Sequence, residues 1–251
     1  MSIEKYEVIA VRTDKTIYKD GNTVLKVFND SYPKSDILNE ALNHARAEEA
    51  GVNVPKLLEV TTIDGKWAIR SEYIEGKTLQ QLMEENPEKI DEYLKMFVNI
   101  QADVFDHKAP LMNQIKDKMK RKIAESGLDA TTRYELQMRL GGMHTHTKIC
   151  HGDFNPSNVI IRNDGTPFVT DWSHSTQGNA SADAARTYLL FRLEGNDERA
   201  ERYLKLFCTK NNIAKQYVEQ WMPIVAASRL SKGNEKEHEF LLKWVDVIEF
   251  E

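Results

Sequence analysis

Cysteine is scarce: only two occur in 251 residues, Cys150 and Cys208. They are far apart and in no motif, so neither a disulfide framework nor a cysteine-built metal module is expected, and the default is free, buried thiols in a reducing cytoplasm. Long apolar runs are missing too. No stretch approaches the roughly 18–20 residues that span a bilayer, and no segment reads as a signal peptide. Basic residues are not in excess: 34 Lys and Arg against 39 Asp and Glu leave a formal net charge of −5. That balance gives no electrostatic reason to expect nucleic acid or an anionic membrane as a partner. Repeats and low-complexity tracts are absent. What is present, 41% hydrophobic and 29% charged residues, is globular composition, enough for one large domain or two small ones. The expectation is a cytoplasmic protein whose oligomeric state the sequence leaves open.

The chain divides by pattern. YEVIAV (Tyr6–Val11), TIYK (Thr16–Lys19) and TVLKVF (Thr23–Phe28) are short, β-branched and aromatic, with hairpin connections at Asp14-Lys15 and Asp20-Gly21-Asn22. A helix is predicted from Ser35 to Ala50, where Ile37, Leu38, Ala41, Leu42 and Ala45 follow the i, i+3, i+4 rule. LLEVTTI (Leu57–Ile63) and WAIRSEYI (Trp67–Ile74) read as two more strands. Glu75-Gly76 breaks the pattern, and Thr78 with Gln81 has capping-box spacing at the start of a mostly helical half. One interruption stands out in that half. HGDFNPSN (His151–Asn158) precedes VIIR (Val159–Arg162), a turn NDGT, and PFVT (Pro167–Thr170), a β-hairpin among helices. Helices are then expected over Asp183–Arg192, Asp197–Cys208, Lys215–Arg229 and Glu235–Val247. The fold class is α+β: a five-stranded antiparallel sheet with one helix, then a helical part carrying a hairpin.

The hairpin carries chemistry. Asn158 immediately precedes its first strand and Asp171 immediately follows its second. Both therefore emerge at its open end, on strands about 5 Å apart. An amide oxygen and a carboxylate there are hard ligands suited to Mg2+, which keeps its remaining positions for water and phosphate oxygens. Asp153 lies on the same loop. A blander reading makes Asn158 and Asp171 strand caps and Asp153 a turn stabiliser, but it accounts poorly for all three together.

His151-Gly152-Asp153, four residues, Asn158, then Asp171-Trp172 after one hairpin resembles the catalytic and metal loops of the kinase-like fold. The HGD form resembles the aminoglycoside phosphotransferase and choline kinase superfamily, the small-molecule branch. That resemblance implies a bilobal protein-kinase-like fold, with an N-lobe over residues 1–70, a hinge over 71–76 and a helical C-lobe over 77–251. It implies Asp153 as the catalytic base, Asn158 and Asp171 as Mg2+ ligands, and His151 as an organiser of the loop. Lys26, mid-strand between Leu25 and Val27, is costly there unless its ammonium meets an anion. The resemblance sets it against the α- and β-phosphates of ATP or GTP, held by a helix glutamate, Glu40, with Glu48 and Glu49 on the same helix as competitors. The backbones of Glu72 and Ile74 would pair with adenine, and Asp183 would brace the catalytic loop. Two departures stand out. The loop Arg12-Thr13-Asp14-Lys15 has no glycine, where protein kinases use glycines over the phosphates, although Arg12 or Lys15 can supply charge. The metal loop reads Asp-Trp-Ser, and nothing after it resembles a protein-substrate docking segment.

The implied reaction moves the γ-phosphoryl of ATP or GTP to a hydroxyl of a small molecule, an aminoglycoside-like, amino-alcohol or sugar acceptor. Glu235, Glu237, Glu239, Asp246, Glu249 and Glu251 would suit a cationic acceptor, or else form the solvated face of an amphipathic helix with Phe240, Leu241, Trp244, Val245 and Ile248 inside. Two other readings compete. One is a catalytically silent, kinase-like nucleotide-binding module. The other is a zinc hydrolase built from His144, His146, Cys150 and His151, although no helical His-x3-His spacing exists.

Overall fold

The computed structural model describes residues 3–245. The chain runs through β1 (Glu7–Val11), β2 (Lys15–Asp20), β3 (Thr23–Phe28), α1 (Lys34–Glu49), β4 (Leu57–Ile63) and β5 (Lys66–Glu72). Then come β6 (Gly76–Thr78), α2 (Leu79–Glu85), α3 (Ile90–Asp106), α4 (Ile115–Ala124) and α5 (Ala130–Gly142). Four short strands follow: β7 (Lys148–Cys150), β8 (Val159–Arg162), β9 (Pro167–Val169) and β10 (Thr176–Gly178). Helices α6 (Ala180–Leu193), α7 (Asp197–Asn211), α8 (Lys215–Glu219), α9 (Met222–Leu230) and α10 (Glu235–Val245) complete the described chain. Two compact units emerge. The first comprises the chain up to Pro87 with Pro156–His174, and the second comprises Glu88–Asn155 and the chain from Ser175.

In the first unit, five antiparallel strands form a sheet in the order β1-β2-β3-β5-β4. Side chains alternate across β3 as the pleat demands. Leu25 and Val27 are buried with Tyr6, Ile63 and Ala68. On the other face, Phe28 and Ile69 pack on Ile37 and Ala41 of α1. Lys26 shares the face of Phe28, so it looks toward α1 rather than into the first cluster. A smaller sheet, β6-β8-β9, carries the hairpin. Gly76 is required there, because a Cβ at this position would stand 2.1 Å from the Ile161 carbonyl oxygen. The hairpin turn is tied by Asp164, which accepts from the Thr166 N–H at 2.9 Å and from Arg162. The capping box is formed: Thr78 Oγ1 accepts from the Gln81 N–H at 3.1 Å, and the Thr78 N–H donates to Gln81 Oε1 at 2.8 Å.

The second unit is built on aromatic packing. Phe97 of α3 meets Phe154, Phe191 of α6 and Tyr203 of α7, all fully or almost fully buried. Removing one such ring would cost about 3–5 kcal/mol. β7 pairs with β10, a two-stranded ladder absent from the pattern reading because three residues are too few to show a period. Helix α6 starts at Ala180, three residues before the expected Asp183, with the Asn179 side chain accepting from the Ser181 N–H. The single helix expected over Lys215–Arg229 is two, α8 and α9. Pro223 sits in the first turn of α9, where its missing N–H is tolerated, and it would break a continuous helix. On α10, Leu241 and Val245 are buried while Glu235 and Glu239 are exposed, as an amphipathic helix requires. Asp246, Ile248, Glu249 and Glu251, with the expected helix end at Val247, lie outside the described residues. No described helix is long and apolar enough to cross a membrane. Cys150 is buried and Cys208 only half-buried, both as free thiols.

Candidate active site

Lys26 is the centre of the first unit's polar cluster. Helix α1 presents Glu40 beside Ala41 and one turn from Ile37, the residues that seat it on the sheet, so the Glu40 carboxylate meets the Lys26 ammonium in a direct hydrogen bond. The Asp171 carboxylate lies 3.5 Å from the same ammonium. Burial alone would lower the Lys26 pKa, but Asp171 and Glu40 outweigh it and hold it above the ordinary lysine value. The ammonium is therefore a permanent charge. A second cation joins it: Lys15 Nζ is 2.9 Å from Asp171 Oδ2 and 4.0 Å from Glu40 Oε2. Glu48 does not compete, since it accepts from the Leu57 N–H at 2.9 Å.

Asp171 follows β9 with φ of 66°, in the left-handed region that Asp tolerates better than most residues. The next residue anchors this turn. Trp172 is fully buried, its Nε1 donates to the Val169 carbonyl at 3.0 Å, and its own carbonyl accepts from Asn43 of α1 at 3.3 Å. Asn158 ends a single 3-10 turn before β8, and its carbonyl accepts from the Thr170 N–H at 2.9 Å. The hairpin thus holds Asn158 and Asp171 at its open end. Lys26, Glu40, Asn158 and Asp171 line one cavity, together with Glu72 and Ile74. Glu72 ends β5 and its N–H donates to the Lys56 carbonyl at 2.9 Å, while Ile74 is buried.

The donor set suits Mg2+. An amide and a carboxylate are hard oxygen ligands, and the ammonium groups of Lys15 and Lys26 stand at the Asp171 carboxylate in this structure. Among the described residues no group of three His, Cys, Asp or Glu side chains is placed to hold a metal. In HTHTKICH, His144 and His146 are exposed while Cys150 and His151 are buried.

In the second unit, α6 holds the loop His151–Asn155. Asp183, fully inside the protein, accepts from the Gly152 N–H at 2.6 Å and from Gln101 Nε2 at 3.2 Å. Burial pushes its pKa up, opposed by His151 and these hydrogen bonds. Thr187, one turn further on α6, donates to the Phe154 carbonyl at 2.8 Å. Gly152 takes φ of 77°, a conformation that favours glycine. His151 is fully buried, and its Nδ1 accepts from the Asp153 N–H at 3.2 Å. Asp153 keeps its side chain partly open, with Asn155 Nδ2 donating to its backbone carbonyl at 3.0 Å. Arg186 Nη2 lies 3.6 Å from Asp153 Oδ1.

Residues 8–219 match the phosphotransferase enzyme family. The chain belongs to that family. No curated protein gives a significant sequence match. Among solved structures, the aminoglycoside phosphotransferase APH(4)-Ia, as a thermostable mutant in ternary complex with ADP and hygromycin B, is similar with a TM-score of 0.72 at 15% identity, covering 97% of this chain and 92% of that one. Choline kinase LicA from Streptococcus pneumoniae is similar with a TM-score of 0.65 at 15% identity, over 98% and 94% of the two chains. A choline/ethanolamine kinase family protein from Mesorhizobium loti gives a TM-score of 0.60 at 15% identity, over 96% and 84%. At such identities the likeness establishes the kinase-like fold of this phosphotransferase.

The structure of this family member brings Lys26, Glu40, Asn158, Asp171, Glu72 and Ile74 to one cavity in the first unit, and His151, Asp153 and Asp183 to one loop in the second. Sequence reasoning named Lys15 only as an optional charge and missed Asn43, Gln101, Arg186 and Thr187. For Arg186 and Thr187 a signal existed, since they follow Asp183 by three and four residues on α6 and therefore lie on the same face. For the others no local pattern exists.

Proposed function

We propose that the protein transfers the γ-phosphoryl of ATP or GTP to a hydroxyl of a small molecule. The observation that carries this reading is Lys26, held mid-sheet by Glu40 and Asp171 in a cavity it shares with Asn158. A permanent ammonium set among carboxylates beside two hard oxygen ligands is a receptor for a polyphosphate and its cation. Lys26 binds phosphate oxygens, Glu40 keeps the ammonium in place, and the backbones of Glu72 and Ile74 receive the base. Asn158 and Asp171 would hold Mg2+, which when bound neutralises the phosphate charge. Asp153 orients the acceptor hydroxyl and takes its proton as the oxygen–phosphorus bond forms. The bond from the γ-phosphorus to the bridging oxygen breaks, and ADP or GDP departs. His151 and Asp183 act by fixing the loop that carries Asp153. Little covalent chemistry is asked of the protein beyond positioning and charge.

One observation favours a second reading, a nucleotide-binding module without turnover: Lys15 engages the same Asp171 carboxylate that a metal would need. Nucleoside diphosphate release from Mg-ATP or Mg-GTP, across a panel of hydroxylated compounds, separates the two. Acceptor-dependent release is expected, and Asp153→Asn should lower it by roughly 10²–10⁴. Full turnover in that variant would remove Asp153 from the mechanism. Nucleotide binding with no release on any acceptor would favour the silent module.

A further inference from the structure

Among the described residues, the surroundings of Asp153 have the wrong sign for an amine. Four cations gather in the second unit, each interacting with others of the group: Lys118 of α4, Arg186 of α6, Arg229 near the end of α9, and Lys232 just beyond it. Among the described residues, the carboxylates that these cations feel most strongly are Asp153, Asp183 and Glu237. Glu237 of α10 is engaged by Arg229 in a two-pronged pair at 2.5 and 2.6 Å, and Asp183 is turned onto the catalytic-loop backbone. Glu237, one of the acids that would have suited a cationic acceptor, is thus spent on an arginine.

The cations also crowd one another. Burial, then Arg186 and Lys232, push the Lys118 pKa down to about 7, despite Asp183 and Asp153 nearby. Lys232, whose side chain is exposed, is lowered to about 8 by partial desolvation and by Arg186 and Arg229, with Asp153 and Glu237 opposing. A second observation points the same way. Arg186 is only 7% exposed, and its Nε donor is buried without a hydrogen-bond partner. A buried guanidinium donor left unsatisfied is expensive, and an oxyanion is the group that relieves it. A side chain of the opposite charge to an amine-bearing acceptor would have served such an acceptor better at every one of these positions.

We infer that the acceptor is an anionic hydroxyl compound, carrying a carboxylate or phosphate near the hydroxyl that is phosphorylated, and that Lys118, Arg186 and Lys232 bind that anion. The inference rests on the reading of Asp153 as the base of a small-molecule kinase.

The test uses matched hydroxyl compounds with and without the anion: glycerate against glycerol, gluconate and glucose 6-phosphate against glucose, and further pairs of that kind, with choline and hygromycin B as cationic members. Turnover is read by ADP release, and binding by thermal shift in the presence of AMP-PNP and Mg2+. The anionic members are expected to turn over or bind where their neutral partners do not, and comparison of the carboxylates with the phosphates identifies which oxyanion is read. In the double variant Lys118→Gln, Lys232→Gln, the KM of the anionic acceptor should rise about tenfold or more while kcat stays nearly unchanged. A single cooperative thermal transition without ligand, at or above the wild-type melting temperature, shows that this variant is folded. Preference for neutral or cationic members overturns the inference. So does an equal fall in kcat for every acceptor, which would assign the cations to the transferred phosphoryl. Silence from every anionic compound in both arms, with AMP-PNP still binding, overturns it and leaves the kinase reading standing. Loss of nucleotide binding itself would sink that reading instead.

Discussion

Lys26 and Lys118 are both lysines in partly buried sites, and their neighbours give them opposite fates. Two carboxylates outweigh the burial of Lys26 and keep it charged. Lys118 meets burial together with Arg186 and Lys232, and its pKa falls to about 7. In the unfolded chain Lys118 keeps its proton up to its ordinary value of 10.5. Between these two values the unfolded state binds more protons, so raising the pH through that window stabilises the fold at this residue. A Lys118→Met variant should therefore melt higher than the wild type. Its advantage should be greatest at pH 7 and below and shrink as the pH climbs toward 10.5. Melting temperatures across that range check it, and an advantage independent of pH would show that packing, not charge, sets the cost. Asp171 shows a third kind of residue-scale constraint, a left-handed backbone held by a buried tryptophan so that its carboxylate stays with Lys26.

Among the elements, the hairpin β8-β9 and its partner β6 position Asn158 and Asp171, the proposed metal ligands. β6 approaches β8 so closely that only glycine fits at position 76. A methyl there cannot be relieved by rotating a side chain, because the atom it meets is a backbone carbonyl. Gly76→Ala should destabilise the protein by about 2–4 kcal/mol, at the upper end of single substitutions. Chemical denaturation gives that figure, and a cost below 1 kcal/mol would mean that β6 shifts freely on the hairpin. Helix α6 is the corresponding device in the second unit. Buried on nearly every side, it carries Asp183, Arg186 and Thr187 on successive turns to the loop that ends in Asn155.

At the scale of the whole chain, the proposed receptor for a nucleotide makes a prediction that needs no acceptor. A ligand bound only by the folded state stabilises it by mass action. AMP-PNP with Mg2+ at about a hundred times its Kd should add about 2.7 kcal/mol, or roughly 5–10 °C in melting temperature for a chain of this length. Lys26→Met should abolish the shift, read against the variant's own unliganded melting temperature, which falls because the buried Glu40 carboxylate loses its partner. A wild-type protein indifferent to both ATP and GTP analogues would contradict the proposed function at its first step.

Much of this was legible in the sequence, because the relevant signals are local. Strand alternation, the capping box at Thr78, and a hairpin flanked by Asn158 and Asp171 are each written within a dozen or so residues, where backbone geometry alone relates the side chains. The family follows from the same stretch. What local pattern cannot express, only tertiary packing decided. The seating of α1 on the sheet puts Glu40, not Glu48 or Glu49, against Lys26. The pairing of β2 with β3 and the fold of the hairpin bring Lys15 to Asp171, 156 residues away. Most of all, packing made a cationic surround for Asp153 out of residues from α4, α6 and α9. Each of those residues reads on its own as an ordinary solvated charge. Electrostatics acts through space and not along the chain, so the sign of that surround exists only once the helices are packed.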